Sequence, residues 1–168
     1  MQLITPSIDY QQSYLNYISE LGDEERYPFP LDFDHQDFPS MLARIDKFAK
    51  GEALAEGAVP SSTLWLIEAG EIIGVTNIRH FLSPQIAHCG GHIGMSIRPS
   101  YRGKGLGSTL MKLSINYLKA MDVKHIYVHC YQSNQASAQM IIANGGQLHS
   151  QVVIGEQTVL RFLITDNS

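Results

Sequence analysis

Six of the chain's 14 glycines fall between residues 90 and 107, and three of them stand in the run Arg102-Gly103-Lys104-Gly105-Leu106-Gly107-Ser108. A strand-like run precedes this loop and stops at Pro99. After it, Leu106, Leu110, Leu113, Tyr117 and Met121 recur at steps of four, three, four and four, which predicts a long helix buried on that face with Lys112 and Lys119 outside. Glycines at a strand-to-helix junction let main-chain N–H groups approach a ligand closely. The helix dipole and the unpaired donors of its first turn then favour an anion, and Arg102 and Lys104 add charge. The loop is either a phosphate or pyrophosphate cradle or a plain tight turn, and the paired bases favour the cradle. It is not the P-loop of nucleoside-triphosphate enzymes, because Lys104 is followed by Gly105. Nor is it the dinucleotide fingerprint, since G-x-G-x-G is one residue short and follows a late strand.

The rest of the chain supplies an α+β frame. Gln2–Thr5 is extended; Tyr10, Tyr14, Tyr17/Ile18 and Leu21 then follow helical spacing, with Ser7 or Asp9 as cap and Gly22 as stop. Asp23–Phe38, dense in acids, prolines and aromatics, reads as an ordered loop. Asp37 caps a second helix that buries Leu42, Ile45 and Phe48/Ala49 and ends at Gly51. Strands are expected at Thr63–Glu68, Glu71–Phe81, Ala87–Arg98 and His125–Tyr131, then a helix from Asn134 through Ile142 closed by Asn144-Gly145. A final hairpin, Gly146–Ile154 and Thr158–Thr165, turns at Gly155-Glu156. The order β-α-α-β-β-β-α-β-α-β-β in 168 residues predicts one domain over 1–168.

Composition narrows the setting. Cys89 and Cys130 lie in apolar, strand-like surroundings with no CxxC, so both are expected as small buried residues in a reducing compartment, with neither a disulfide nor a metal site. MQLITPSIDY has no basic or apolar leader pattern, and charges, Gly or Pro interrupt every apolar run before membrane-spanning length, so a cytoplasmic protein with no membrane partner is expected. The net charge of −4 conceals a division: residues 1–71 hold 13 acids and 4 bases (−9), and residues 72–168 hold 3 acids and 8 bases (+5). Nucleic acid is a poor partner for such a chain. The basic half instead suits an anionic ligand, and the acidic half would attract a cation.

Ile97-Arg98-Pro99-Ser100-Tyr101-Arg102-Gly103-Lys104-Gly105-Leu106-Gly107 resembles the acyl-CoA signature of the GNAT superfamily of N-acyltransferases, in which Arg or Gln followed by x-x-Gly-x-Gly/Ala holds the coenzyme A pyrophosphate. Asn134-Gln135-Ala136-Ser137 is similar to a second element of that family, an asparagine after the fifth strand that faces the pantetheine arm. The resemblance implies an α/β/α-layered fold, a mixed, mostly antiparallel central sheet with helices on both faces. It implies acetyl-CoA as cosubstrate, held by Met95, Ser96 and Ile97 along the pantetheine, by Arg102, Gly103, Lys104, Gly105, Leu106, Gly107 and Ser108 at the pyrophosphate, and by Asn134. It further implies a small-molecule or peptidyl amine as acceptor, and a possible homodimer through the last strands.

In that family a neutral amine attacks the thioester directly, helped by orientation and oxyanion donors. A lysine-like amine is neutral at pH 7 in only about one molecule in 2,500, a cost of about 4.6 kcal/mol, so a base or a desolvating site is needed. The chain departs from the pattern here. The glutamate usually six residues before the strand-ending aliphatic is Gly91, and the tyrosine usually four before the glycine closing the fourth helix is Ile141. Replacements to weigh are His92, His80, His129 and Tyr131, with His92 as base and Tyr131 as donor to the thiolate placed first, each against a plain structural role. A catalytically silent acyl-CoA-binding sensor or scaffold is the rival to an N-acetyltransferase, and another phosphate-ligand protein is a third reading.

Overall fold

The chain's structure, a computed structural model described here over residues 1–167, is built on a hairpin of strands β2 (Ser61–Glu68) and β3 (Glu71–Arg79). Both strands are buried on both faces because helices cover both. On one face Trp65 and Val75 pack with Tyr14 and Tyr17 of α1 (Gln11–Leu21) and with Phe38, Met41 and Ile45 of α2 (Phe38–Lys50). On the other, Leu66 and Ile73 pack on Leu106 and Leu110 of α4 (Leu106–Ala120). Strand β1 (Gln2–Ile4) pairs with β2, and β4 (Ile93–Ile97) with β3, giving the antiparallel order β1-β2-β3-β4.

A second antiparallel sheet, β5-β7-β6, is formed by β5 (His125–Tyr131), β6 (Gln147–Ile154) and β7 (Gln157–Thr165). It continues the first sheet through one bridge, Gly91 to Val128, beyond which β4 and β5 part. Helix α5 (Gln135–Ala143), capped by Asn134 Oδ1 on the Ser137 N–H, packs beside α4 over the parting. The α+β class and helices on both faces are as expected, with the central sheet opened into two sections.

Four local expectations are corrected. The strand expected over Ala87–Arg98 is confined to Ile93–Ile97, and residues 87 and 88 instead end a short helix, α3 (Pro84–His88), because Ser83 Oγ accepts from the Ile86 N–H and Pro84 opens the turn. Cys89 follows that helix and is exposed, and only Cys130 is half-buried. The first helix begins with a 3-10 turn at Ile8–Tyr10 capped by Ser7, so no side chain caps α1 itself. Helix α4 buries Leu106, Leu110, Met111, Ser114, Ile115 and Leu118 and leaves Met121 exposed. Its stripe is displaced by about one position because it fills two clusters at once, one on β2 and β3 and one reaching Ile126 and Val128 of β5.

The two charged halves meet at Arg98, whose guanidinium lies 2.7 Å from Glu20 and 2.8 Å from Glu71 and is almost wholly buried. Ser13 Oγ donates to Glu71 and accepts from the Ile72 N–H, so α1 is fixed to β3 beside it. Among the described residues no helix is long and apolar enough to cross a membrane.

Candidate active site

The parting of β4 from β5 opens a cleft of about 330 Å³ lined by Met95, Ser96 and Ile97 of β4, Arg102 and Gly107 of the glycine loop, Met111, Val128 and His129, Asn134, Ser137 and Met140, with Tyr27 at its side. Register determines which main-chain groups face it. The Arg79 N–H donates to His92 O (2.7 Å) and the Arg98 N–H to Ile73 O (2.9 Å), so residues 92, 94, 96 and 98 bond to β3. Ile93, Met95 and Ile97 therefore turn their N–H and C=O groups to the open edge. An extended ligand carrying amides can bond to that edge as a strand would.

At the end of the edge lies the glycine loop. Its hydrogen bonds stop at Arg102 N–H to Pro99 O and resume at Thr109 N–H to Gly105 O, leaving the donors between them unpaired by backbone. Gly103 and Gly105 both have φ +77, and a Cβ at either would meet nothing within 4 Å, so the cradle is open. Leu106 anchors the helix in the core, and Ser108 Oγ accepts from Asn144 Nδ2. A pyrophosphate fits this donor run.

The charges are less available than the sequence suggested. Arg102 is held bidentately by Glu24 at 2.8 and 3.0 Å, with its Nε on Ile97 O, and the ion pair keeps the Glu24 carboxyl below the usual range. Lys104 lies over the Tyr101 ring, 5.1 Å from its centroid. The main chain, more than the two bases, makes the cradle.

The candidate proton handlers are dispersed. His92 is 4% exposed and lies outside the cleft lining; its Nδ1 accepts from the Tyr127 N–H (2.9 Å) and its own N–H donates to Tyr127 O (2.7 Å). With Nδ1 occupied, the neutral ring carries its proton on Nε2 and has no lone pair to serve as a base. It acts as the clasp between the two sheets. Tyr131 is 48% exposed and also outside the lining, and His80 Nε2 lies 2.8 Å from Ser62 Oγ. His129 does line the cleft. Its Nδ1 accepts from the Gly90 N–H (3.0 Å), which leaves the proton of the neutral ring on Nε2, a buried atom with no hydrogen-bond partner among the described residues.

Burial pushes His92 and His129 each down to about 4. Unfolded histidines titrate near about 6.5, so between about pH 6.5 and 4 the unfolded chain binds more protons and stability falls as pH drops. The melting temperature is expected to be flat above that window and to decline through it. His92→Asn, whose Oδ1 can take the Tyr127 N–H, should make the decline shallower; an unchanged slope would show that His92 does not contribute.

Sequence reasoning missed Tyr27 and the pairing of Glu24 with Arg102; the acids of that tract were expected at the entrance of the site or as a solvated loop, and the density of aromatic rings there was the signal for Tyr27.

Comparison with known proteins agrees with this geometry. No curated protein sequence matches the chain. Solved structures do: ribosomal-protein-S5-alanine acetyltransferase from Vibrio fischeri (TM-score 0.74, 15% identity, 99% of this chain and 93% of that one). RimL, the ribosomal L7/L12 alpha-N-protein acetyltransferase in complex with coenzyme A, superposes with TM-score 0.70 at 13% identity over 97% of this chain and 92% of that one. A mutant of spermidine N-acetyltransferase SpeG from Vibrio cholerae gives 0.67 at 16% identity, over 98% and 95%. These likenesses share the fold. The profile of the Acetyltransferase (GNAT) family matches residues 18–142, and the chain belongs to that family.

Proposed function

We propose that the chain is an acetyl-CoA-dependent N-acetyltransferase that acts on a primary amine by direct attack, with both substrates bound together. The observation that carries this reading is that one cleft joins the open-edge main-chain groups of Met95 and the Ile97 N–H to the unpaired N–H groups of the Gly103–Ser108 turn. Acetyl-CoA supplies an activated carbonyl: the amine lone pair bonds to its carbon, the C–S bond breaks with its electrons on sulfur, and the proton shed by nitrogen ends on that sulfur. The chain's residues bind and orient. Gly103 to Ser108 hold the pyrophosphate, Met95 and Ile97 align the pantetheine amides, and Met111, Val128 and Met140 keep water from the apolar wall.

An amine acceptor is supported by the structural neighbours, which are named for acetylating spermidine and protein N-termini. It is also supported by exposed Asp23, Glu25, Asp32 and Asp34 on the loop beside the cleft. Acids that hold an ammonium also hold its proton, so they belong at the rim. The combined Asp23→Asn, Glu25→Gln, Asp32→Asn and Asp34→Asn variant is expected to raise the acceptor KM about 3–10-fold with kcat within about twofold. A tenfold loss of kcat would put these acids at the reacting centre.

Thiol release from acetyl-CoA across a panel of polyamines, amino acids and N-terminal peptides tests the reading. A protein that binds acetyl-CoA and releases no thiol above the blank would be the silent acyl-CoA-binding module instead, a reading that the missing glutamate and tyrosine favour. Strand β6 is a free sheet edge with Leu148, Val153 and Ile154 exposed, which supports a homodimer.

A further inference from the structure

We propose that the Tyr27 hydroxyl is the proton relay of the reacting centre, an inference that rests on the acetyltransferase reading above. Strand β4 carries a glycine at position 94, and a Cβ there would lie 2.9 Å from Tyr27 Oη, 3.1 Å from its Cζ and 3.3 Å from Pro28 Cβ. The phenol thus occupies the room that a β4 side chain would take. Gly94 adjoins Met95, whose N–H faces the cleft, and Tyr27 lines that cleft with Met95, Ser96, Ile97 and His129. A hydroxyl on this side of β4 stands beside the place where the thioester carbonyl would lie against Met95.

The other candidates around it are engaged or misplaced. Tyr17 is hydrogen-bonded to Ser96, His92 Nδ1 to the Tyr127 N–H, His129 Nδ1 to the Gly90 N–H and His80 to Ser62. Ile141 stands fully buried where the resemblance puts a tyrosine. Among the described residues Tyr27 Oη has no hydrogen-bond partner. The residue as a whole is 44% exposed, yet its hydroxyl end is packed against β4, and burial there pushes the phenol's pKa up, keeping the proton on it at neutral pH. The loop that delivers it is fixed three residues earlier by the Glu24–Arg102 pair, and Arg26 donates to the carbonyls of Glu24 and Gly22.

The step balances without a net change in the enzyme. As the amine nitrogen bonds to the carbonyl carbon and the C–S electron pair leaves on sulfur, the hydroxyl gives its proton to that sulfur. It takes in return the proton that the nitrogen sheds, and ends as it began. No separate strong base is needed for that transfer, which suits a site whose histidines lack a free lone pair.

Tyr27→Phe keeps the ring over Gly94 and removes only Oη. It is expected to lower kcat about 100-fold, with the acetyl-CoA Kd measured by calorimetry within about threefold of the parent and the melting temperature almost unchanged. Gly94→Ala puts a methyl 2.9 Å from Oη, too close for the phenol to keep its place, so it should lower kcat comparably, and the double variant should fall no further than the worse single one. A kcat loss of less than tenfold in Tyr27→Phe overturns the proposal, as do additive losses in the double variant. Weakened acetyl-CoA binding or a lowered melting temperature in Tyr27→Phe also overturns it, by assigning the ring a structural role. A parent protein that neither binds acetyl-CoA nor releases thiol would fail at the earlier step, taking the acetyltransferase reading with it.

Discussion

Gly91→Ala is expected to lower the melting temperature by about 10 °C and to weaken acetyl-CoA binding with it. Gly91 has φ +68, a conformation that costs an L-residue about 1–2 kcal/mol. A Cβ there would lie 2.6 Å from Tyr127 O, a main-chain atom that no rotamer change can move, and 3.1 Å from His129 Cδ2. Forced overpacking of this kind adds about 1–3 kcal/mol, and each kcal/mol shifts a domain of this size by about 2–4 °C. The clash falls where the two sheets join, at the Gly91–Val128 bridge and beside the His92–Tyr127 clasp, so relief requires the splay to widen. Thermal melts followed by circular dichroism, paired with calorimetry, read both effects. A shift below about 2 °C would show that the junction yields freely. The same geometry predicts that Gly91→Glu, which would place there the carboxylate that the family resemblance implies, gives a less stable protein rather than a better base.

That position shows why only part of the site was legible in the sequence. The loop from Arg102 to Ser108 could be read because its function is local: glycines, a proline before and an amphipathic helix after describe their own geometry. Strand β5 was equally plain, and Asn134 and Asp37 cap the helices expected of them. What failed was long-range. His92 has the residue type and place of a base, yet its ring is used by the Tyr127 backbone, 35 residues away. Arg102 has the charge to meet a pyrophosphate, yet Glu24, 78 residues earlier, holds it. Tyr27 lay in a tract whose composition announced order and an acidic entrance but no role for its one tyrosine, and only packing against Gly94 gives its hydroxyl a destination. The short helix at Pro84–His88 was missed for a different reason: its cap is a lone serine, and its five residues are too few to show a period.

Gly105→Glu is expected to raise the acetyl-CoA Kd at least 100-fold, about 2.7 kcal/mol, while lowering the melting temperature by only a few degrees. Gly105 also has a positive φ, so strain alone accounts for about 1–2 kcal/mol of stability, but a Cβ there meets no protein atom within 4 Å. Whatever a side chain at residue 105 obstructs is therefore not part of the folded chain. A carboxylate there would stand among the unpaired N–H groups at the start of α4 and satisfy them itself, excluding a pyrophosphate by both occupancy and charge. Gly105→Ala separates the causes, because it carries the backbone strain without the charge or reach. It should melt with Gly105→Glu and bind much closer to the parent. Equal weakening in the two variants would trace the loss to loop conformation, and binding within threefold of the parent in Gly105→Glu would remove the cradle from the site altogether. Gly91 and Gly105 are both glycines at positive φ, yet a Cβ at one meets the main chain of β5 and at the other meets open space, and stability and affinity measured together distinguish a glycine required by packing from one required by a ligand.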